Sequence, residues 1–253
     1  MLSGDLGLNC AQGSSSVLKR TCARLKHSIL AILGRFVKTL PPDKVLRFLF
    51  QLDQRLYHLQ SRLAVVYGSG IHTKHRHTRY HEFFAGRISP GERVLDLGCG
   101  IGAVAYDVAE QAGAYVVGVD LDADAIAEAH QRHAHSRVAY CVGDASQGFL
   151  AGSFDVIILS NVLEHLPERP AFLRQIQHQI NPSRILIRVP LFERDWRVPL
   201  KRELGVEWRL DPTHETEYTL ESFAKEMAAA GLRVAYQEVR WGEIWAEAVP
   251  TKC

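Results

Sequence analysis

The fold of this chain is decided by ten consecutive residues, Arg93-Val-Leu-Asp-Leu-Gly-Cys-Gly-Ile-Gly102. The apolar run from Val94 to Leu97 predicts a central parallel strand, because a strand covered by helices on both faces carries no polar alternation. Three glycines follow it at alternate positions: Gly98, Gly100 and Gly102. Glycine permits a sharp turn and a close approach of a ligand, and the helix predicted after Gly102 points its free amides at that ligand.

The spacing of these glycines separates two classes of nucleotide-binding loop. The dinucleotide fingerprint is G-x-G-x-x-G, whereas this loop reads G-x-G-x-G and places Asp96 inside the strand. Strand, acid and glycines in this order resemble the first motif of class I S-adenosylmethionine-dependent methyltransferases. The resemblance implies an enzyme that transfers a methyl group from S-adenosylmethionine, with Asp96, Gly98, Gly100 and Gly102 in the cofactor site.

Further apolar strands end in polar residues, as this family requires. They are Tyr115–Asp120, Arg137–Asp144 and Phe154–Asn161. Asp120 comes about 20 residues after the glycines, where Rossmann-like folds place a carboxylate on the ribose hydroxyls. The resemblance implies that Leu121 lies beside the cofactor, that Asp144 and Ala145 recognise the adenine, and that Asn161 lies near its methionine part. For any single acid, the alternative is that it only caps the next helix.

The order of the elements predicts an α/β protein. We expect a Rossmann-like seven-stranded sheet, mostly parallel with one antiparallel closing strand, helices on both faces and an N-terminal helical extension. The predicted segments are a disordered tail (1–16), a helical extension or lid (17–70), a basic linker with an entry helix (71–92) and the cofactor-binding domain (93–253). Within that domain, residues 191–218 form a long loop where substrate choice is expected to lie.

Charge is concentrated at the N-terminus. Residues 1–50 hold eight Lys or Arg against two Asp, so residues 51–253 carry a net charge of −4 in a chain of net charge +2. Apolar residues recur at helical spacing over residues 18–40, opposite basic ones, and a second helix is predicted from Asp43 to about Gly68. We interpret the second helix as a lid. For residues 18–40, packing as a lid, peripheral contact with an anionic membrane and contact with nucleic-acid phosphate stay open.

Composition narrows the class of protein further. No apolar stretch approaches the ~20 residues of a membrane-spanning helix. The five cysteines are scattered without a C-x-x-C pair, which indicates a reducing compartment. We therefore expect a cytoplasmic enzyme, with peripheral membrane attachment as the variant. The acidic cofactor-binding domain lacks the basic stripe that nucleic acid requires, which favours methyl transfer to an oxygen or nitrogen of a small-molecule or glycan acceptor.

A histidine-rich basic segment, residues 71–81, precedes the first strand. Its histidines have irregular spacing and no carboxylate or thiolate among them, which argues against a metal site there. In the family this segment often folds over the methionine end of the cofactor. Arg76, Arg79 and Tyr80 are then placed to meet a carboxylate, with Tyr80 in the cofactor site. The other interpretation is a solvated linker.

The candidate catalytic residues are His165 and His214. Leu-Glu-His at 163–165 and His-x-x-x-Tyr-Thr from His214 resemble enzymes acting on small molecules and glycans. They also resemble metal-dependent small-RNA 2′-O-methyltransferases, whose metal site Glu164, His165 and His214 would match in three of four ligands. Asn161 stands where the fourth, a glutamate, would be. Because a neutral side chain weakens a divalent site, we favour no metal and a histidine acting as general base.

Alternatives to this assignment remain open at the level of sequence. The structural alternative for Glu164 and His165 is that they only begin and orient the next helix. The alternative functions are an RNA 2′-O-methyltransferase with a divalent metal, and a non-catalytic protein that only binds S-adenosylmethionine. The three acids Asp96, Asp120 and Asp144 argue against the non-catalytic protein.

Overall fold

The computed structural model of the chain describes Gly34 and residues 40–144 and 152–251. The expected tail at 1–16, nearly all of the segment 18–40, and Ala145 lie outside the described residues. The chain divides into two compact units, Met1–Arg55 and Leu56–Cys253. The glycine loop and all the candidate site residues belong to the second unit.

Within the described residues, seven strands form one sheet in the order β3-β2-β1-β4-β5-β7-β6. They are β1 (Arg93–Leu97), β2 (Tyr115–Asp120), β3 (Val138–Val142), β4 (Val156–Ser160), β5 (Arg184–Pro190), β6 (Leu232–Arg240) and β7 (Glu243–Pro250). The neighbouring strands β3–β2, β2–β1, β1–β4 and β4–β5 pair in parallel. Strand β7 runs antiparallel to both of its neighbours, β5 and β6. This confirms the predicted Rossmann-like sheet with one antiparallel closing strand.

Helices cover both faces of the sheet. In chain order, the helices of the described residues are α1 (Pro42–Tyr67), α2 (Lys74–Thr78), α3 (Tyr80–Ala85), α4 (Ala103–Ala112), α5 (Ala123–Arg132), α6 (Arg169–Ile180), α7 (Arg197–Glu203) and α8 (Leu220–Ala229). On one face α3, α4 and α5 form a core with Val94 and Ile158, and on the other α6 and α8 form a core with Leu95 and Ile157. Adjacent residues of a strand point to opposite faces, so each apolar strand supplies both cores.

The N-terminal helix and the turn after β4 bear on the sequence predictions. Helix α1 matches the helix expected from Asp43 to about Gly68. Leu163–His165 form a separate 3₁₀ turn, and α6 begins only at Arg169. Glu164 and His165 therefore do not begin the next helix, because the polypeptide leaves the turn in extended conformation at Leu166. No helix in the described part of the chain is long and apolar enough to cross a membrane.

Candidate active site

The glycine loop leaves β1 at the carboxyl edge of the sheet. Gly98, Gly100 and Gly102 all have positive φ, at 71°, 52° and 78°. A Cβ added to Gly98 would lie 2.6 Å from Val162, and one added to Gly102 would lie 2.6 Å from Tyr140. At Gly100 it would meet nothing within 4 Å. Two of these glycines thus allow close packing within the protein, and Gly100 is the one that faces open space.

Asp120 holds this loop in place from the end of β2. Its Oδ2 accepts a hydrogen bond from the Gly100 amide (2.7 Å), and its Oδ1 accepts one from the Asp122 amide (2.9 Å). Asp122, in contrast, caps α5, since its Oδ1 accepts from the amides of Asp124 and Ala125. Leu121 is exposed beside Asp120, and the half-buried Asp144 follows β3.

Buried polar atoms without a partner are concentrated at this same edge. In the described part of the chain they belong to Asp96, Asn161 and Glu164. Burial, together with the charge of Asp120, raises the pKa of Asp96 to about 8. Asn161 adopts a φ of 58°, a left-handed conformation that is uncommon outside glycine. Its backbone N–H donates to the Arg188 carbonyl (2.8 Å). Because buried polar groups are almost always hydrogen-bonded, these atoms indicate a ligand site.

An arginine–glutamate pair that the sequence did not predict closes the edge beside Tyr80. Arg188 of β5 is buried and donates from Nε and Nη2 to the two Glu243 carboxylate oxygens, both at 2.7 Å. Its guanidinium lies 3.8 Å from the centroid of the Tyr80 ring. Its Nη1 also donates to the Ser160 hydroxyl at the end of β4 (3.2 Å). The visible signal was Arg188 within the otherwise apolar run of residues 185–190, since a buried charge requires a partner.

The histidine-rich segment is ordered by hydrogen bonds and does not behave as a solvated linker throughout. The Tyr80 hydroxyl and His75 Nδ1 are 2.9 Å apart, His75 Nδ1 and His81 Nε2 are 3.2 Å apart, and His81 Nδ1 contacts Asp107 of α4. Burial, with His81 nearby, lowers the pKa of His75 to about 4. Arg79, in contrast, is exposed and pairs with Glu82. Of the two arginines and Tyr80, only Tyr80 is buried.

Glu164, His165 and His214 come together, as the sequence predicted for a site at one sheet edge. One imidazole nitrogen from each histidine and one carboxylate oxygen of Glu164 all lie within 4.8 Å of one another. The His165 and His214 rings are 4.7 Å apart between centroids. The main chain fixes this approach, because the Glu164 carbonyl accepts hydrogen bonds from the amides of Glu215 (2.7 Å) and Thr216 (3.3 Å).

Each histidine is oriented by a further side chain. His214 Nδ1 lies 3.2 Å from Glu217 Oε1, and a carboxylate only accepts, so Nδ1 is the donor and Nε2 is the nitrogen left for a ligand or a substrate. His165 Nδ1 lies 3.0 Å from the Thr213 hydroxyl, and this hydroxyl donates a hydrogen bond to Asp211 Oδ1. Partial burial, with His214 nearby, lowers the pKa of His165.

Glu217 is a functional candidate that the sequence reasoning missed. Its side chain is fully buried, pairs with Arg194 and accepts from the Leu210 amide (2.5 Å). It thereby ties together three parts of the loop between β5 and α8. The signal was the His-x-x-Glu spacing of His214 and Glu217, which brings the two side chains to the same side of a turn.

The residues present fit a divalent cation as well as a metal-free site. Two imidazoles with their second nitrogens held, plus a carboxylate with both oxygens unpartnered, form a donor set of the kind that binds transition metals. Burial raises the pKa of Glu164 to about 8. Without a cation this carboxyl is therefore largely protonated at neutral pH and can donate a hydrogen bond.

Comparison with known proteins identifies the family. A family model described as a methyltransferase domain matches residues 69–237, and the chain belongs to this family of S-adenosylmethionine-dependent enzymes. The match includes the glycine loop, Asp120, Asp144, His165 and His214.

Individual relatives cover only part of the chain. It is 29% identical to a 2-methyl-6-phytyl-1,4-hydroquinone methyltransferase of Synechocystis, over 57% of this chain and 48% of that protein. It is 32% identical to a ubiquinone biosynthesis O-methyltransferase of Azorhizobium caulinodans, over 61% of this chain and 64% of that protein. The matched region thus spans about half to two thirds of each relative.

Solved structures confirm the fold. The magnesium protoporphyrin IX methyltransferase of Synechocystis, solved with bound S-adenosylhomocysteine (SAH), superposes with a TM-score of 0.55 at 21% identity. The superposition covers 69% of this chain and 83% of that one.

Proposed function

We propose that this protein transfers the methyl group of S-adenosylmethionine to a hydroxyl oxygen of a small-molecule or glycan acceptor. The observation that carries the proposal is the His214–Glu217 pair, which lies with Glu164 on the same sheet edge as the glycine loop. Methyl transfer to an amine does not demand such a base when the amine is already neutral. A hydroxyl must lose its proton, and an imidazole is suited to accept it near neutral pH.

The cofactor is held by the residues around the glycine loop. Asp120 already uses one lone pair of each oxygen on backbone amides, and a carboxylate oxygen has a second one, so both remain able to accept from the ribose hydroxyls. Asp96 and Asn161 present unpartnered oxygens toward the positively charged methionine end. Tyr80 closes this end, backed by the Arg188–Glu243 pair.

The chemical step needs alignment and one proton acceptor. The sulfonium is already activated, so the protein has to place the acceptor oxygen in line with the methyl–sulfur bond. As the oxygen–methyl bond forms and the methyl–sulfur bond breaks, His214 Nε2 would take the hydroxyl proton. Glu217 stabilises the imidazolium that results, as carboxylates do beside catalytic histidines.

The acceptor class follows from charge and from the relatives. The net negative charge of residues 51–253 disfavours nucleic acid. By their names, the two relatives described above act on a hydroquinone and in ubiquinone synthesis, and further matched relatives methylate phosphoethanolamine. A hydroxyl group on an aromatic ring agrees with the quinol-type compounds in these names, and a histidine base can take its proton.

The test measures S-adenosylhomocysteine formation by mass spectrometry with hydroquinones, catechols, a hydroxylated sugar and phosphoethanolamine. We expect turnover with a hydroxyl acceptor, loss of at least ~100-fold in His214→Asn, and unchanged SAH binding by calorimetry in that variant. His178→Asn, an exposed histidine on α6, is the matched control. Preferred methylation of phosphoethanolamine would contradict the hydroxyl acceptor. SAH binding without turnover on any acceptor would support the non-catalytic alternative.

A further inference from the structure

Large apolar side chains are exposed at the end of α1 and in two loops of the second unit. Val66 is 75% exposed, Tyr67 79%, Trp196 71% and Trp241 69%, and Ile71 is exposed by more than half. Isolated apolar residues on a surface need no explanation, but a contiguous set indicates a partner.

The two tryptophans lie at the carboxyl edge of the sheet. Glu243 pairs with Pro190 at the end of β5, so the β6–β7 turn, which contains Trp241, reaches that edge. Trp196 follows β5 in the chain. The two loops touch, since a Cβ on Gly242 would lie 2.7 Å from the Cβ of Arg194.

The end of α1 adjoins the same turn through α2. The Arg76 guanidinium lies over the Tyr67 ring, 5.8 Å from its centroid. His77 and Arg79 share a cleft of about 390 Å³ with Arg240 and Trp241. The exposed aromatic residues therefore follow one another around the rim of the candidate active site, with basic residues between them.

Trp241 occupies a position that local conformation does not favour. Trp241 and Gly242 both have positive φ, at 54° and 75°, as in a type I′ hairpin turn. Asn or Gly is preferred at the first of these positions, and a bulky residue there is strained. The turn nevertheless displays an indole to solvent.

Charge on this rim favours one kind of partner. Arg76 is exposed and forms no ion pair with a carboxylate among the residues the structure describes, and the exposed His77 lies beside it. Tyr and Trp prefer the membrane–water interface because one part of each ring is apolar and the other polar, while Lys and Arg attract anionic headgroups.

We propose that this rim docks the protein on an anionic lipid surface, with the carboxyl edge of the sheet facing the bilayer. Val66, Tyr67, Trp196 and Trp241 enter the headgroup region, and Arg76 contacts anionic headgroups. Supply of a lipid-dissolved acceptor from that surface rests on the proposed function. The docking itself does not.

The experiment is co-sedimentation of the full chain with vesicles of phosphatidylcholine, with and without phosphatidylglycerol. We expect binding to the anionic vesicles, weakening in 0.5 M salt, and a loss of at least ~5-fold in the Tyr67→Ser/Trp241→Asn double variant. Asn suits the type I′ turn, so this variant retains the hairpin. Tyr115→Ser is the matched control, because Tyr115 is an exposed aromatic at the opposite, amino edge of the sheet.

Three outcomes would overturn the proposal. One is no binding by the unaltered chain. Another is equal binding by the double variant, which would assign attachment to the basic segment before α1. The third is a dimer that the double variant dissociates, which would make the rim an interface between copies. None of these measurements uses the methyl acceptor, so the proposed function is tested separately.

Discussion

Gly98, Gly100 and Gly102 have similar backbone angles, but their surroundings give them different tasks. A side chain at Gly98 or Gly102 collides with Val162 or Tyr140, whereas one at Gly100 enters the open space beside Asp120. The alternate spacing of glycines in the sequence therefore combines a packing requirement with a ligand requirement.

This difference predicts opposite behaviour for two variants. Gly100→Val should lower SAH affinity by at least ~10-fold through steric exclusion, with a stability loss of only about 1–2 kcal/mol from the left-handed backbone. Gly102→Val should destabilise the fold more strongly, because Tyr140 has to move. Calorimetry with SAH and thermal unfolding separate the two effects. Equal loss of stability in both variants would contradict the assignment.

Asp96 links the cofactor site to pH. Its pKa in the folded protein is raised to about 8, above that of an exposed aspartate, so the unfolded chain releases the proton at lower pH. Without cofactor, the free energy of unfolding should then fall as the pH rises from about 4 to 8. Asp96 contributes at most about 1.4 kcal/mol per pH unit to this fall.

The variant Asp96→Asn removes that dependence. Urea unfolding at pH 5, 6.5 and 8 without cofactor should show the variant gaining stability relative to the unaltered protein as pH rises. Glu164 adds the same trend to both proteins, so the difference between them reports Asp96. Parallel curves would show that Asp96 is ionised in the folded state throughout.

At the scale of elements, the active edge depends on two short segments that meet. The 3₁₀ turn Leu163–His165 and the loop around His214 are joined by backbone hydrogen bonds to Glu164, and Glu217 anchors the loop. Neither segment is long enough to hold its shape alone. Their mutual contacts therefore position the two histidines.

Glu217→Gln should reduce turnover by roughly 10–100-fold, because a neutral amide no longer stabilises the imidazolium of His214. A merely structural role for Glu217 would lower the Tm of the variant together with the rate. Glu215→Gln, an exposed neighbour, is the control.

Chelation distinguishes the two chemistries that the same donor set allows. We expect EDTA to leave turnover unchanged, in keeping with a histidine base and with Asn161 in place of a fourth ligand. Loss of activity that Mg²⁺ or Mn²⁺ restores would instead assign Glu164, His165 and His214 to a metal site. The assay is the same SAH measurement, with and without added metal.

At the scale of the whole molecule, the segment before α2 contacts helices and loops of the second unit. Ser61 hydrogen-bonds His72 (3.1 Å), and Arg132 of α5 donates to the Gly70 carbonyl (3.5 Å). Val65, Ile71 and His72 also line a cleft of about 970 Å³ that reaches Ile101 of the glycine loop. A lid over the catalytic domain is consistent with these contacts within the second unit.

A chain starting at Thr73 should therefore lose stability, with a fall in Tm of at least about 4 °C, or ~1–2 kcal/mol for a domain of this size. A chain starting at Pro41 is the control and should retain Tm and SAH affinity. Full stability and activity in the shorter chain would refute the lid.

The local sequence pattern determined the strands and the edge at which their polar ends meet. Apolar runs, strand-end acids and glycine spacing act over a few residues, and parallel strands necessarily gather their carboxyl ends at one edge. Hence the sequence alone places Asp96, Asp120 and Asn161 correctly along the strands. The family resemblance supplied the cofactor.

The tertiary structure alone decided how distant side chains are held together. The family resemblance grouped His165 with His214, but no periodicity specifies the path of the loop between them, which Glu217 and Arg194 hold. Arg188 and Glu243 pair across two antiparallel strands, which requires the register of β5 and β7. Local periodicity reports which face of an element is apolar. The contact between two polar side chains far apart in the chain depends on register and loop packing, which are set only when the whole molecule folds.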